Sequence, residues 1–250
     1  MEIKPNNIYN IDCFEGLKDI SSKSVDLVVT DPPYWHKKGR GINRETGKAY
    51  ANGHSPFANS ELFSTTGFMM GEMSTFGEEE IDQLLSELTR VCKIPNIYIF
   101  CNETQVPYYA MWAERNKLMF TIMVWEKPLS IINKNRFSQN LEFIVRIYDY
   151  GTALNRLDEN EIYNRVRRAR PVAGCNKIHP TEKPVQLVSE FIRLSSNKGD
   201  VVLDAFMGSG TTAISCIREE RNFIGFELNK EYYEKACKRI QAVQQQLKLF

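Results

Sequence analysis

Several things are missing from this 250-residue sequence. No stretch reaches the roughly 20 consecutive apolar residues that a helix needs to cross a bilayer, so no membrane partner is expected. The opening Met1-Glu2-Ile3-Lys4-Pro5 is not a basic stretch leading into an apolar core. That predicts no secretory signal and a cytoplasmic protein. An excess of one charge is missing too: Lys+Arg 32 against Asp+Glu 31 leaves a net charge of +1. A protein that only coats nucleic acid is strongly basic, so any nucleic-acid contact must come from local patches. Histidine is scarce, and His36 and His54 have no partner at ligand spacing. Among Cys13, Cys92, Cys101, Cys175, Cys216 and Cys237 there is no C-x-x-C pair. These read as reduced thiols, and no metal is expected. Internal repeats and low-complexity tracts are absent as well. What remains, 42% hydrophobic and 25% charged residues, is ordinary globular composition in a chain long enough to fold without a staple.

The hydropathy pattern alternates strand-like runs with helical ones. Val25–Thr30 reads as a buried strand that stops at Asp31-Pro32-Pro33. From Glu78 to Lys93, the apolar positions Ile81, Leu84, Leu85, Leu88, Val91 and Cys92 follow the helical period, with three glutamates in the first turn where the dipole favours them. Further strands are expected at Asn96–Cys101, Met119–Trp125, Leu141–Tyr148, Val201–Leu203 and Phe223–Phe226. Helices are expected at Gln105–Asn116, from Pro184 as first residue, at Thr211–Glu219, and from Lys230 to the C-terminus. This alternation predicts an α/β fold: a Rossmann-like, doubly wound, mostly parallel sheet covered on both faces, in a single domain over 1–250.

Two segments break the rhythm. Trp35 to Gly77 holds seven of the 14 glycines and reads as a long mobile loop inserted after the strand end. Its first part carries Lys37, Lys38, Arg40 and Arg44. The second segment, Gly151 to Ile178, carries Arg165, Arg167, Arg168 and Arg170, with no acid from Tyr163 onward. Two basic loops flanking one site fit phosphate contacts, and the second is a candidate target-recognition region.

The run Val201-Val202-Leu203-Asp204-Ala205-Phe206-Met207-Gly208-Ser209-Gly210-Thr211-Thr212 is a strand, a glycine turn and a helix start. That layout lets a ligand approach the backbone at the end of a sheet. Glu227 closes the next strand, where a carboxylate can accept from both ribose hydroxyls. Ala213 makes a formal G-x-G-x-x-A. Asp204 at the strand end would repel a pyrophosphate but welcome an ammonium. The charge therefore favours S-adenosyl-L-methionine over a dinucleotide.

Asp31-Pro32-Pro33-Tyr34 forms a stiff corner with a carboxylate, backbone carbonyls and an aromatic ring. That set suits a planar amine. Acceptors can grip its hydrogens, the ring can stack, and the nitrogen becomes a better nucleophile toward a methylsulfonium.

Together D-P-P-Y and D-A-F-M-G-S-G-T-T resemble the S-adenosylmethionine-dependent amino-methyltransferases of DNA. Weaker similarities at Asn10–Cys13, Ser24–Thr30, Trp125-Glu126-Lys127-Pro128 and His179-Pro180-Thr181-Glu182-Lys183-Pro184 extend the resemblance over most of the chain. The order, catalytic before cofactor motif, is similar to the β group of that family. The resemblance implies the methyltransferase fold with long inserted DNA-contacting loops. It implies that Asp31, Pro32, Pro33 and Tyr34 hold the target amine. Asp12, Cys13, Thr181, Lys183, Asp204, Phe206, Gly208, Ser209, Gly210, Thr211, Glu227 and Leu228 would surround the cofactor. In that family an aspartate in the first position usually goes with adenine N6 and a serine with cytosine N4. The implied partners are double-stranded DNA carrying a flipped adenine, a second copy of the chain, and a cognate restriction endonuclease. Trp35, His36 and Tyr50 are available to stack, and Asn176 to read base edges. A cytosine or RNA-base methyltransferase and a non-catalytic binding module remain open as alternatives.

Overall fold

A computed structural model describes residues 1–34, 76–128, 137–138, 140–155, 163–173 and 177–247. Most of the expected insert falls outside these residues, with Trp35, His36, Lys37, Lys38, Arg40, Arg44, Tyr50 and His54, as do Cys175 and Asn176.

The described elements run in the order β1 (Asn7–Tyr9), α1 (Cys13–Lys18), β2 (Leu27–Thr30), α2 (Glu78–Val91), β3 (Asn96–Cys101), α3 (Val106–Arg115), β4 (Met119–Glu126) and β5 (Leu141–Tyr148). Then follow β6 (Val166–Arg168), α4 (Val185–Ser195), β7 (Val201–Asp204), α5 (Thr211–Arg218), β8 (Asn222–Phe226) and α6 (Lys230–Leu247). The eight strands form one sheet in the order β1-β8-β7-β2-β3-β5-β4-β6. Pairings are parallel except at β5, which runs antiparallel to β3 and β4. The intervening sequence offers no helical pattern for a parallel crossover.

Central strands are buried on both sides, as near-continuous apolar runs require. Val28, Ile97, Ile99 and Val145 pack with Leu17, Leu84, Leu88 and Trp112 on one face. Leu27, Val29, Tyr98, Phe100 and Ile144 pack with Leu187, Phe191, Ile214 and Ile240 on the other. At the start of α2 the Gly77 N–H donates to the Glu80 carboxylate at 2.8 Å, closing the first turn.

Three short elements escape sequence periodicity. β1 and β6 are three residues each and α1 six, too short to show a period. Pro184 caps α4 rather than opening it: its ψ of 130° is extended, and Val185 is the first helical residue. None of the helices is long and apolar enough to cross a membrane, among the described residues.

The adjacency of β2 and β7 positions the site. Leu27 pairs with Val202 and Val28 with Leu203. The segments leaving these two strands, at Asp31 and Phe206, therefore emerge side by side at the carboxyl end of the sheet, where open α/β sheets bind ligands.

Helix α1 closes over the end of β8 through Gly16. A Cβ there would lie 2.5 Å from the Phe226 ring. Gly16→Ala should therefore destabilise the fold by about 1–3 kcal/mol despite alanine's better helix propensity. A denaturant melt with an unchanged or raised midpoint would contradict this.

Candidate active site

The corner after β2 carries the most unusual carboxylate in the molecule. Pro32 is buried, and Asp31 and Tyr34 are half-buried. Gln105, fully buried at the start of α3, donates from Nε2 to the Pro33 carbonyl at 3.2 Å and fixes the corner from behind. Asp31 Oδ2 accepts from the Lys183 ammonium. Oδ1 is buried and has no hydrogen-bond partner among the described residues. An unsatisfied buried acceptor costs about 1–3 kcal/mol, and this one lies where an incoming amine could donate to it.

Asp31 is one member of a charge cluster. Lys183 also reaches Glu142 Oε1 at 2.9 Å, and Lys127 bonds Glu142 Oε2 at 2.8 Å. The Tyr34 hydroxyl donates to Glu142 Oε1. The Lys183 ammonium lies 5.1 Å from the centre of the Phe100 ring and 5.5 Å from that of Tyr34. Burial, with Glu142 adding to it, pushes the Asp31 carboxyl up, while Lys183 opposes. Burial acts upward on Glu142 too, but Lys183 and Lys127 outweigh it and hold that carboxyl below its usual range. Burial acts downward on Lys183, and its two carboxylates more than compensate.

The glycine turn lies beside this corner. Gly208 and Gly210 have φ of +51° and +79°, a backbone region that suits glycine. A Cβ on Gly210 would meet Ala236 Cβ at 3.3 Å. Ser209 and Thr211 are buried and bond each other at 3.0 Å, and Thr211 Oγ1 donates to the Lys183 carbonyl at 3.2 Å. Glu227 Oε2 accepts from the Gly208 N–H and Oε1 from the Asn229 N–H, both at 2.8 Å. Asp12 caps α1 by accepting from the Phe14 N–H at 2.8 Å, and Cys13 is buried below it. Phe206 is partly exposed and meets Phe76 edge-on at 5.6 Å, and Leu228 is exposed.

Asp204 and Lys183 both have partners within the protein. Asp204 is held by three donors. Oδ1 accepts from Thr30 Oγ1 at 2.9 Å and from the Phe206 N–H at 3.0 Å, and Oδ2 accepts from Thr212 Oγ1 at 2.6 Å. It stitches β2 to β7 and shapes the turn. Lys183 is likewise committed to Asp31 and Glu142. Beside it, Thr181 Oγ1 lies 3.0 Å from His179 Nδ1. Burial, with Lys183 and Lys177 adding to it, pushes the His179 imidazole down to about 4. It is neutral at pH 7 and packs against Gly208.

The second basic segment is only partly free. Arg167 turns inward to Glu190 at 2.5 Å, which removes it from the solvent-facing set. Arg168 pairs with Glu126 at 2.7 Å yet stays exposed, as do Arg165 and Arg170. Sequence reasoning missed Glu142 and Gln105. The signal for Glu142 was an acid inside the strand-like run Leu141–Tyr148, whose other charged residue is Arg146; Gln105 left none.

Residues 25–238 match the family described as DNA methylase, which covers N6 and N4 amino-methyltransferases. The chain is 30% identical to the Type II methyltransferase M.HpaI of Haemophilus parainfluenzae, over 90% of this chain and 71% of that protein. It is 28% identical to M1.MboII of Moraxella bovis, over 92% and 95%. The M1.HpyAVI–SAM complex matches with a TM-score of 0.66 at 25% identity, covering 94% of this chain and 98% of that one. The cytosine-N4-specific PvuII DNA methyltransferase shares the fold at TM-score 0.66 and 17% identity, covering 97% and 92%. With a carboxylate corner and a glycine turn set side by side on such a sheet, the chain belongs to the N6/N4 DNA methylase family. It is a DNA methyltransferase, and its cofactor is S-adenosyl-L-methionine. The donor set fits that molecule. Glu227 keeps a second lone pair on each oxygen for the ribose hydroxyls, and Phe206 and Leu228 offer apolar surface to the adenine ring.

Asp204 gives a pH test. Burial first, against its three donors, pushes its carboxyl up to about 6 from 3.8. A raised carboxyl contributes most stability below its unfolded value and loses that contribution as pH rises through 6. Asp204→Asn should destabilise by about 1–3 kcal/mol at pH 5, and the gap to wild type should narrow toward pH 7. Melting temperatures of both proteins from pH 5 to 7 decide; a widening gap would reverse the assignment.

Proposed function

We propose that the protein transfers a methyl group to the N6 amine of an adenine flipped out of double-stranded DNA. The observation that carries this is Asp31 Oδ1, a buried acceptor beside the glycine turn with no donor among the described residues. When bound, S-adenosyl-L-methionine supplies an electrophilic methyl on a sulfonium. Asp31 accepts one amine hydrogen, Pro32 and Pro33 keep the corner rigid, and Tyr34 offers its ring to the base. Gripped this way, the nitrogen lone pair leaves conjugation and is aimed at the methyl carbon. The balance would be closed by the donor, which would give the methyl carbon to the amine nitrogen and keep the S–C electron pair, while the amine proton would pass to solvent.

Around the cofactor, Phe206, Gly208, Ser209, Gly210 and Thr211 form the turn, and Glu227 with Leu228 lies toward the ribose and adenine. Asp12 and Cys13 form the facing wall, and Thr181 the end nearest the methionine carboxylate. Asp204 and Lys183 act through the turn and through Asp31. Adenine is favoured over cytosine by Asp31 itself, because the family resemblance links aspartate there to N6 and serine to N4. Duplex contacts come from Arg165, Arg168 and Arg170, and from the basic residues between 37 and 44. The Type II relatives support a cognate restriction endonuclease as cellular partner.

Incubation with labelled S-adenosyl-L-methionine and unmethylated genomic DNA, followed by nucleoside analysis, should place label in N6-methyladenine. Label in N4-methylcytosine would overturn the base assignment. Asp31→Ala should lower transfer by about 1,000-fold or more while cofactor binding persists; retained transfer would refute Asp31's role. Replacing Arg165, Arg168 and Arg170 together by Ala should reduce the salt slope of DNA binding by about two to three. An unchanged slope would move the phosphate contacts elsewhere.

A further inference from the structure

We propose that Glu142 and Lys183 form a positioning pair for methyl transfer: Lys183, anchored on Glu142, holds Asp31 by Oδ2 alone and leaves Oδ1 as the acceptor for the target amine. The inference rests on the reading of Asp31 as the amine-binding residue. Its basis is geometric. Lys183 is 6% exposed at the side chain and Glu142 10%, so neither head group is a surface charge. Lys183 Nζ sits between one oxygen of each carboxylate and also donates to the Thr181 carbonyl at 3.2 Å. That exhausts its three protons. It therefore cannot bridge both oxygens of Asp31, and Oδ1 is left open. Glu142 is fixed in turn by Lys127 on its other oxygen and by the Tyr34 hydroxyl, so the acid, the ring that stacks on the base and the lysine share one anchor.

The groups facing Asp31 come from its own corner and from five further places. Lys183 precedes α4, Glu142 lies on β5 and Tyr34 three residues along the corner. Cys101 ends β3, Tyr109 lies on α3 and Asp204 ends β7. Burial holds Cys101 and Tyr109 neutral across the working range. This leaves Lys183 and Glu142 acting on Asp31 with opposite sign. Losing the Lys183 charge should make Asp31 harder to ionise, and losing the Glu142 charge should make it easier.

The test measures single-turnover methylation from pH 4.5 to 9 for wild type, Glu142→Gln, Lys183→Met, Lys183→Arg and Asp31→Ala. Both neutralising variants should lose about 10- to 100-fold in rate at pH 7.5 while affinities for cofactor and DNA change less than about 3-fold. The acid limb should move up by about one pH unit in Lys183→Met and down by about one in Glu142→Gln, and Lys183→Arg should restore it toward wild type. Opposite shifts are the signature of Asp31, on which Lys183 and Glu142 act directly with opposite sign. If Lys183→Met fails to fold, the downward shift in the nearly isosteric Glu142→Gln still decides. Limbs that do not move, or losses confined to binding, would overturn the positioning role. An active Asp31→Ala would instead overturn the reading of Asp31, so the two failures are separable.

Discussion

A carboxylate buried with no countercharge gives up its ionisation, because transfer from water costs far more than a proton does. Asp31 faces that constraint, and the surrounding groups answer it. Lys183 supplies the opposite charge at the cost of its own burial, Glu142 stabilises Lys183, and Lys127 stabilises Glu142 from the more exposed side. Two carboxylates and two ammoniums leave the cluster neutral. Such clusters are poor sources of net stability. Here the arrangement secures one charged oxygen in one orientation, which catalysis by electrostatic preorganisation requires.

The cluster exists only because of strand order. Asp31, Glu142 and Lys183 are distant in sequence, and antiparallel β5 runs back along β3 so that Phe143 pairs with Cys101 at the carboxyl end of the central strands. Glu142 thus arrives at the same end of the sheet as Asp31. On the other side, Thr30 reaches across to Asp204 over a separation of 174 residues. The ends of β2 and β7, from which the Asp31 corner and the glycine turn leave, are thus tied by a buried hydrogen bond.

Much of the fold was legible in the sequence because the central elements have strong periods. Ile81, Leu84, Leu85, Leu88 and Val91 are all buried as their spacing requires, and the strand runs fall within a residue or two of their predicted bounds. What was not legible lies where period or neighbourhood is unavailable. β1, β6 and α1 are too short, and the reversal of β5 depends on tertiary pairing. The site follows the same division. Asp31 and the glycine turn announce themselves through local chemistry: proline stiffness and positive-φ glycine. Glu142 and the inward turn of Arg167 toward Glu190 depend on partners far along the chain. The donors that hold Asp204, Thr30 and Thr212, belong to other elements and were not legible from its own strand.

Strand β1 pairs with β8, its register running from Asn7 against Ile224 to Tyr9 against Phe226. Asn10 then donates to the carbonyls of Glu227 and Leu228 at 2.8 and 2.9 Å. The first and the last strand of the described chain are therefore neighbours, and the residues that leave them, Asn10 and Glu227–Leu228, lie together. During synthesis from the N-terminus, Asp31 and its lysine are complete while the Asp12 wall still waits for its opposite side. Contacts this distant in sequence close late. On the proposed reading, a nascent or truncated polypeptide lacking β8 would carry the Asp31 corner without Glu227 and Leu228, and so with one wall of the cleft unbuilt.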